Sequence, residues 1–200
     1  MVINESELEF VFNEGVNAIK FDDTEFYRKS FNRLPGAKGV DIIAHSNNEI
    51  QLIEVKNCTG HEPENRWRIN VNNSKLTNAP RELDVENRNS LDIEVAQKVA
   101  MTISCLFGSW TNSEINDTAA ILANMGKSMN QKSLLSDRKS LVVLLILEGD
   151  FGGEGEPKSR SKKMIMGRIK SSIADKLKWL KCRVEVVDSN TNRNHLFSIQ

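Results

Sequence analysis

One aspartate and a Glu-x-Lys pair stand at the ends of two neighbouring apolar segments of the chain. Asp41 opens the first segment, and Glu54 and Lys56 close the second. Successive side chains of a β-strand point to opposite faces, so Glu54 and Lys56 face one side while Val55 faces the other. If the two segments pair as a hairpin, Asp41 comes close to Glu54 and Lys56 across the strands. We therefore expect two carboxylates and an ammonium group to converge.

Such a group of charges indicates metal-assisted chemistry on phosphate esters. Two carboxylates repel each other unless a cation lies between them, and hard oxygen ligands suit Mg²⁺ or Mn²⁺. The lysine can position or help to deprotonate the attacking water, or offset the charge that develops on a phosphate oxygen. Asp41 and Glu54 are thus the expected metal ligands and Lys56 the assisting group, all three catalytic. The plain alternative is two surface strands joined by an ordinary salt bridge.

The segments that carry these residues have the composition of β-strands. Residues 40–44 and 50–55 are rich in β-branched side chains, and the asparagines in the turn at residues 45–48 tolerate tight-turn backbone angles. Apolar side chains recur every three or four positions over residues 91–106, which predicts a helix with one apolar face. Residues 141–147 are apolar throughout, which predicts a central strand covered on both sides.

The remaining elements are predicted from weaker patterns. Residues 1–23 suit a helix or a strand, and the alternation at residues 8–12 before a turn at Asn13-Glu14-Gly15 favours the strand. The pattern also predicts extended backbone at residues 18–21 and a short helix at 24–31. Further along, it predicts a long surface excursion at 57–89, a glycine-rich loop at 149–157, a second amphipathic helix at 165–180 and a last strand at 183–187.

Length and composition limit the class of protein. A chain of 200 residues fits one domain, here residues 1–200, and 39% hydrophobic residues exclude a disordered chain. No apolar run is long enough to cross a bilayer, and the start of the chain lacks the pattern of a secretion signal, so a cytoplasmic location is the default. Three scattered cysteines suit a reducing compartment. The net charge of zero means that any attraction for nucleic acid must come from local patches.

Asp41 and Glu54-Val55-Lys56 at the end of an apolar strand resemble the motif of the PD-(D/E)XK nuclease superfamily. The proline that often precedes the aspartate in that family is absent, and Val40 stands there. The family's core, a three-stranded meander followed by a helix and a further strand, corresponds to about residues 18–147. The resemblance implies an α/β fold with a restriction-endonuclease-like mixed β-sheet core flanked by helices.

Two other segments, residues 20–23 and 94–102, resemble parts of bacterial nuclease-like proteins of this superfamily, some of them linked to defence against phage. By this resemblance Lys98 is an auxiliary catalytic residue that contacts phosphate, and an upstream acid completes the metal site. Asp22 is the first choice for that acid and Glu9 the second. The alternatives are a solvated helix pair between Lys98 and Glu94, and a helix-capping role for Asp22.

Two basic segments are candidates for contact with the phosphates of nucleic acid. In the first, Arg66 and Arg68 flank Trp67, whose ring could stack on a base or cap the core. The second has no acidic residue among its six cations: Lys158, Arg160, Lys162, Lys163, Arg168 and Lys170. Its other interpretation is an exposed loop and helix face.

The predicted function is a Mg²⁺- or Mn²⁺-dependent nuclease that hydrolyses phosphodiester bonds, with DNA favoured over RNA by the resemblance alone. The second hypothesis is a non-catalytic subunit of a larger defence or repair assembly that keeps the nuclease fold as a scaffold for nucleic acid or protein. The neutral net charge favours this second hypothesis, since a protein partner could supply the attraction. Cutting both strands of a duplex needs two sites, so the chemistry also leads us to expect a homodimer.

Overall fold

The computed structural model describes residues 1–72, 89–112, 140–151 and 158–200, and of residues 158–160 it describes only the backbone. Within these ranges the chain is a mixed α/β protein with two sheets and four α-helices. The strands are β1 (Val2–Glu5), β2 (Leu8–Phe12), β3 (Asn17–Lys20), β4 (Ile42–His45), β5 (Glu49–Asn57), β6 (Ser140–Glu148), β7 (Arg183–Val187) and β8 (Phe197–Ile199). The helices are α1 (Glu25–Lys29), α2 (Glu62–Asn65), α3 (Leu91–Thr111) and α4 (Lys158–Lys176).

The main sheet has the strand order β3-β4-β5-β6-β7. Strands β3, β4 and β5 form an antiparallel meander, whereas β5, β6 and β7 run parallel. The tight turn between β4 and β5 is closed by Ser46, whose N–H donates to the Glu49 carbonyl at 2.9 Å and whose hydroxyl accepts from the Asn48 and Glu49 N–H groups. The predicted hairpin is therefore confirmed, with bounds that differ from the predicted ones by one or two residues.

The main sheet is covered on both faces, as the apolar composition of β6 predicts. Leu141, Val143, Leu145 and Leu147 pack on one side with the helices, and Leu144 and Ile146 pack on the other side. That other side is covered by a second sheet of order β1-β2-β8, through a tilted cluster of the Phe10, Phe12 and Phe197 rings. The sequence patterns did not predict this second sheet.

The helix α3 shares a hydrophobic core with the main sheet and is fixed close to the start of β4. Thr102 of α3 accepts a hydrogen bond from the Val40 N–H at 3.0 Å. The chain at Gly39 passes so close to the Phe21 ring that a Cβ there would lie 2.6 Å from a ring carbon, so only glycine fits. These contacts hold the residues just before Asp41 against the helix.

Most of the predicted elements are confirmed. The first 23 residues are strands, the short helix is α1 with Thr24 as its N-cap, the long helix is α3, and the last predicted strand is β7. The second amphipathic helix is displaced, since α4 already starts at residue 158, in the segment that was expected to be partly loop. Residues 73–88 of the predicted surface excursion and 152–157 of the glycine-rich loop lie outside the described residues.

Candidate functional site

Asp41 lies immediately before β4 and is held by the strand next to it. Its N–H donates to the Ile53 carbonyl at 3.1 Å, which continues the pairing of β4 with β5. One of its carboxylate oxygens, Oδ2, accepts from the Val55 N–H at 2.7 Å, and the Asp41 carbonyl accepts from the Phe21 N–H at 2.8 Å. The second oxygen, Oδ1, is left to face the helix α3. The convergence of Asp41 with the end of β5 is thus confirmed.

Glu54 is a fully buried carboxylate on the helix-facing side of β5. Its neighbours on the same strand, Ile53 and Val55, point to the opposite side and pack against the second sheet. Burial raises the pKa of Glu54 to about 7, and the Asp41 carboxylate adds to the rise, while Lys56 and Lys98 oppose it. A carboxyl group at this depth is therefore poised between its neutral and charged forms at neutral pH.

Lys98, which lies on α3, bridges the carboxylates of Asp41 and Glu54. Its ammonium lies 2.7 and 2.8 Å from the two oxygens of Glu54 and 3.2 Å from Oδ1 of Asp41. Burial disfavours its charge, yet the carboxylates of Glu54 and Asp41 raise the pKa of Lys98 above its ordinary value. The alternative of a solvated pair with Glu94 is wrong, because Lys98 is turned inward. Its predicted contact with phosphate stays a prediction.

Lys56 connects this pair of carboxylates to a further set of charges. Its ammonium lies 2.8 Å from Oε1 of Glu54 and 3.3 Å from Oε1 of Glu94, and Arg68 lies 2.6 Å from the other oxygen of Glu94. Three acids and three bases form one chain of ion pairs, in the order Asp41, Lys98, Glu54, Lys56, Glu94 and Arg68. Their formal charges cancel, and all six side chains are at least four-fifths buried.

The two candidates for the upstream acid, Asp22 and Glu9, lie in different surroundings. Burial raises the pKa of Asp22, and the negative charge of the nearby Asp41 raises it further. The Oδ1 atom of Asp22 is buried and has no hydrogen-bond partner in the described structure. The helix-capping alternative for Asp22 is wrong, since Thr24 caps α1. Glu9 lies on β2 of the second sheet, and no hydrogen bond or ion pair of the described residues joins its side chain to Asp41 or Glu54.

The donor set suits a hard divalent cation, although the described side chains do not form a complete cage. In residues 1–72, 89–112, 140–151 and 158–200, no three His, Cys, Asp or Glu side chains converge closely enough to hold a metal ion. The oxygens present are those of Asp41 and Glu54, with the unpartnered oxygen of Asp22 nearby. Mg²⁺ commonly takes one or two protein carboxylates and keeps several waters, so this set fits the ion.

The predicted phosphate-binding residues are spread over several surroundings. Arg66 is exposed, whereas Arg68 is largely buried against Glu94. Lys162 is paired with Asp188 at 2.6 Å, and Lys170 with Glu185 at 2.7 Å. Of the other predicted residues, Lys163 and Arg168 are exposed on α4, and the side chains of Lys158 and Arg160 lie outside the described residues. Contact of this segment with nucleic acid stays a prediction.

Glu94 is the residue of the site that the sequence reasoning missed as a contributor. It lies one helical turn before Lys98 and two turns before Thr102, and residues four apart share one face of a helix. This spacing was a usable signal, because it places three polar side chains on a face that must cover the meander. Its partners could not be found from sequence, since Lys56 and Arg68 approach Glu94 from a strand and a turn that are distant along the chain.

The chain belongs to a family of unknown function, DUF6661, whose model matches residues 24–200. Searches of curated proteins and of solved structures return no match to the chain. Among the described residues, the structure has no helix long and apolar enough to span a membrane.

Proposed function

We propose that the protein is a metal-dependent nuclease of the PD-(D/E)XK type, and that Asp41, Glu54, Lys56 and Lys98 form its active site. The observation that carries the proposal is a fully buried Glu54 that shares the Lys98 ammonium with Asp41 at the end of a buried strand, with Lys56 at its side. Bringing two carboxylates together in a buried site costs free energy, and groups with perturbed pKa values cluster at functional sites.

The order of the elements also supports the proposal. An antiparallel meander (β3, β4 and β5), the helix α3 and the parallel strand β6 follow one another as in the core of that superfamily. Glu54 and Lys56 lie near the carboxyl end of β5, and Asp41 lies just before the adjoining start of β4. Ligands of open α/β sheets bind at the carboxyl ends of strands. Fold alone does not define function, so the proposal depends on the side chains.

Asp41 and Glu54, with Asp22 as the candidate third acid, would hold a Mg²⁺ or Mn²⁺ ion. When bound, the ion would polarise the scissile phosphate and lower the pKa of the attacking water. Asp41 is fixed for this role by the Val55 N–H, and Glu54 by the rigid strand on which it lies. The ammonium of Lys98 now satisfies both carboxylates, so it has to move aside for a cation and becomes free to contact phosphate.

Lys56 is the group placed to act on the reacting atoms. Its ammonium can hydrogen-bond to the attacking water or to a non-bridging phosphate oxygen, where negative charge increases as the new P–O bond forms. The water loses one proton in this step, the opposite P–O ester bond breaks, and the leaving oxygen gains a proton. DNA is favoured as the substrate by the resemblance alone, and a cytoplasmic location and a homodimer stay predictions.

The test is cleavage of supercoiled plasmid and of a labelled single-stranded oligonucleotide, with Mg²⁺ or Mn²⁺ and with EDTA. We expect cleavage that needs metal, and a loss in rate on the order of 10² to 10⁴ in Lys56→Ala, as for a well-placed electrostatic or acid-base group. Lys29→Ala is the matched control, because Lys29 forms an exposed ion pair with Glu25 on α1. Cleavage by folded Lys56→Ala at the wild-type rate would exclude this mechanism.

One observation favours the non-catalytic hypothesis, in which the fold serves as a binding scaffold. The six-residue chain of ion pairs is electrically complete, because each acid already has a lysine or arginine partner. A scaffold would keep that arrangement and would show no metal-dependent cleavage, alone or with proteins encoded beside it, while the folded chain still bound nucleic acid or protein.

A further inference from the structure

The carboxylate of Glu94 is held between two cations that come from different elements. Its Oε1 atom lies 3.3 Å from the Lys56 ammonium, at the end of β5, and its Oε2 atom lies 2.6 Å from the Arg68 guanidinium. Arg68 belongs to a short 3-10 turn, Arg66–Ile69, that follows α2. Each oxygen of Glu94 thus contacts a different positive group, as the two non-bridging oxygens of a phosphodiester would.

We propose that Lys56 and Arg68 form a subsite for one phosphate group of a nucleic-acid backbone, and that the Glu94 carboxylate occupies this subsite until substrate binds. The choice of nucleic acid as ligand rests on the proposed function. Arginine and lysine are the usual partners of phosphate, arginine through its planar fork of donors and lysine as a point charge.

Two further donors on the same turn favour a ligand that has more acceptor oxygens than a carboxylate. The Nε atom of Arg68 and the Nε1 atom of Trp67 are both buried, and neither has a hydrogen-bond acceptor among the described residues. The Arg68 guanidinium carbon lies 5.7 Å from the centre of the Trp67 ring, so the two groups are neighbours. Buried donors without an acceptor are costly, and an incoming phosphate could satisfy them.

Lys56 would connect such a phosphate to the reaction. Its ammonium is closer to Glu54, at 2.8 Å, than to Glu94, at 3.3 Å, so it stays beside Glu54 when Glu94 leaves. A phosphate that takes the place of Glu94 would then lie next to the carboxylates of the active site. The geometry therefore makes Glu94 a positioning residue, which keeps both cations in place while the site is empty.

The charge of Glu94 also sets the affinity of the subsite. Burial alone would raise the pKa of Glu94, but Lys56 and Arg68 lower it to about 2, so the carboxylate stays ionised throughout the neutral range. A fixed negative charge at this point repels an incoming phosphate. Removing that charge, with the shape of the side chain kept, should strengthen the binding of nucleic acid.

The experiment measures binding of fluorescein-labelled single-stranded and duplex oligonucleotides to Glu94→Gln by fluorescence anisotropy, in EDTA and over a range of salt concentrations. We expect binding roughly tenfold tighter than wild type, because a like charge next to the phosphate is gone. We expect the slope of log K against log salt to stay as in the wild type, because the same phosphate occupies the subsite in both proteins. Glu25→Gln, which removes the partner of Lys29, controls for net charge and should leave both quantities unchanged.

A second variant keeps the proposal testable if Glu94→Gln does not fold. Arg68→Gln should bind nucleic acid more weakly than wild type, with a shallower salt slope. Unchanged affinity in folded Glu94→Gln, or unchanged affinity and slope in folded Arg68→Gln, would overturn the subsite. Because the assay contains no metal, its result is independent of cleavage: a wild type that binds in EDTA but does not cut with Mg²⁺ or Mn²⁺ would contradict the nuclease and leave the subsite intact.

Discussion

Glu54 and Asp92 are both completely buried carboxylates, but their surroundings shift their pKa values in opposite directions. Asp92, in the first turn of α3, accepts from the hydroxyls of Ser90 and Ser172, the Lys176 ammonium and the Asn72 N–H. Burial alone would raise the pKa of Asp92, but these donors, with Lys176 first, lower it. Glu54 receives hydrogen bonds from two lysine ammonium groups, and its pKa rises to about 7.

The difference separates a structural carboxylate from a candidate catalytic one. The donors of Asp92 come from the N-cap residue of α3, from α4 and from Asn72, so this carboxylate ties three parts of the chain together. The donors of Glu54 sit on long flexible side chains, each of which has a second acidic partner, Asp41 for Lys98 and Glu94 for Lys56. Glu54 can therefore change its partners without leaving a charge unpaired, and Asp92 cannot.

The largest expected contrast is in stability. Asp92→Asn should lower the free energy of unfolding by about 3 kcal/mol, because it leaves a largely buried Lys176 without its counter-ion. Glu54→Gln should change it by less than about 1 kcal/mol, since both lysines keep an acidic partner. Urea unfolding at pH 7 measures both variants. A Glu54→Gln protein that is as destabilised as Asp92→Asn would mean that Glu54 is structural.

The pH dependence should differ in sign between the two residues. The pKa of Glu54 is raised from 4.5 to about 7, so folding favours its neutral form, and its contribution to stability is lost as the pH rises from about 4.5 to 7. Relative to Glu54→Gln, the wild type should lose about 2 kcal/mol of stability between pH 5 and pH 8.

The pKa of Asp92 is lowered from 3.8, so its contribution is present above pH 3.8 and is lost only as the pH falls further. The difference in stability between wild type and Asp92→Asn should therefore stay constant from pH 5 to pH 8. Urea unfolding at several pH values tests both curves, and parallel curves for wild type and Glu54→Gln would contradict the raised pKa.

The smallest expected effect concerns Lys98, which should compete with a divalent cation for the same carboxylate oxygens. Lys98→Met removes the charge and keeps much of the length of the side chain, so we expect Mn²⁺ to bind roughly tenfold more tightly. Calorimetry at pH 8 measures the affinity, and Lys29→Met serves as the control. Equal or weaker binding in Lys98→Met would show that Lys98 does not hold the place of the cation.

The sequence could predict the part of the site that depends on short-range patterns. The period of two in a strand placed Glu54 and Lys56 on one face, and the apolar run at 141–147 predicted a buried neighbouring strand. The role of Lys98 came from the resemblance alone, whereas the strand and helix patterns rest on local geometry. These inferences need no knowledge of distant residues, because strand and helix geometry fixes the direction of each side chain.

The rest depended on contacts between distant parts of the chain. The second sheet pairs β2 with β8, a strand of three residues near the other end of the sequence, and so short an element has no clear pattern of its own. The link from Lys56 through Glu94 to Arg68 joins a strand, a helix and a turn. Lys162, a predicted phosphate contact, is paired with Asp188, and no local pattern indicates this pairing.

The most direct test of the account is the binding of Mn²⁺ at pH 8, measured by calorimetry for wild type, Asp41→Ala and Glu54→Gln. The control is Asp175→Asn, which alters an exposed ion pair with Lys178. We predict one metal-dependent heat signal in the wild type and in Asp175→Asn, and its loss in both site variants, because each removes a carboxylate that the ion requires. Equal affinity in all four proteins would contradict the assignment of Asp41 and Glu54 as the metal site.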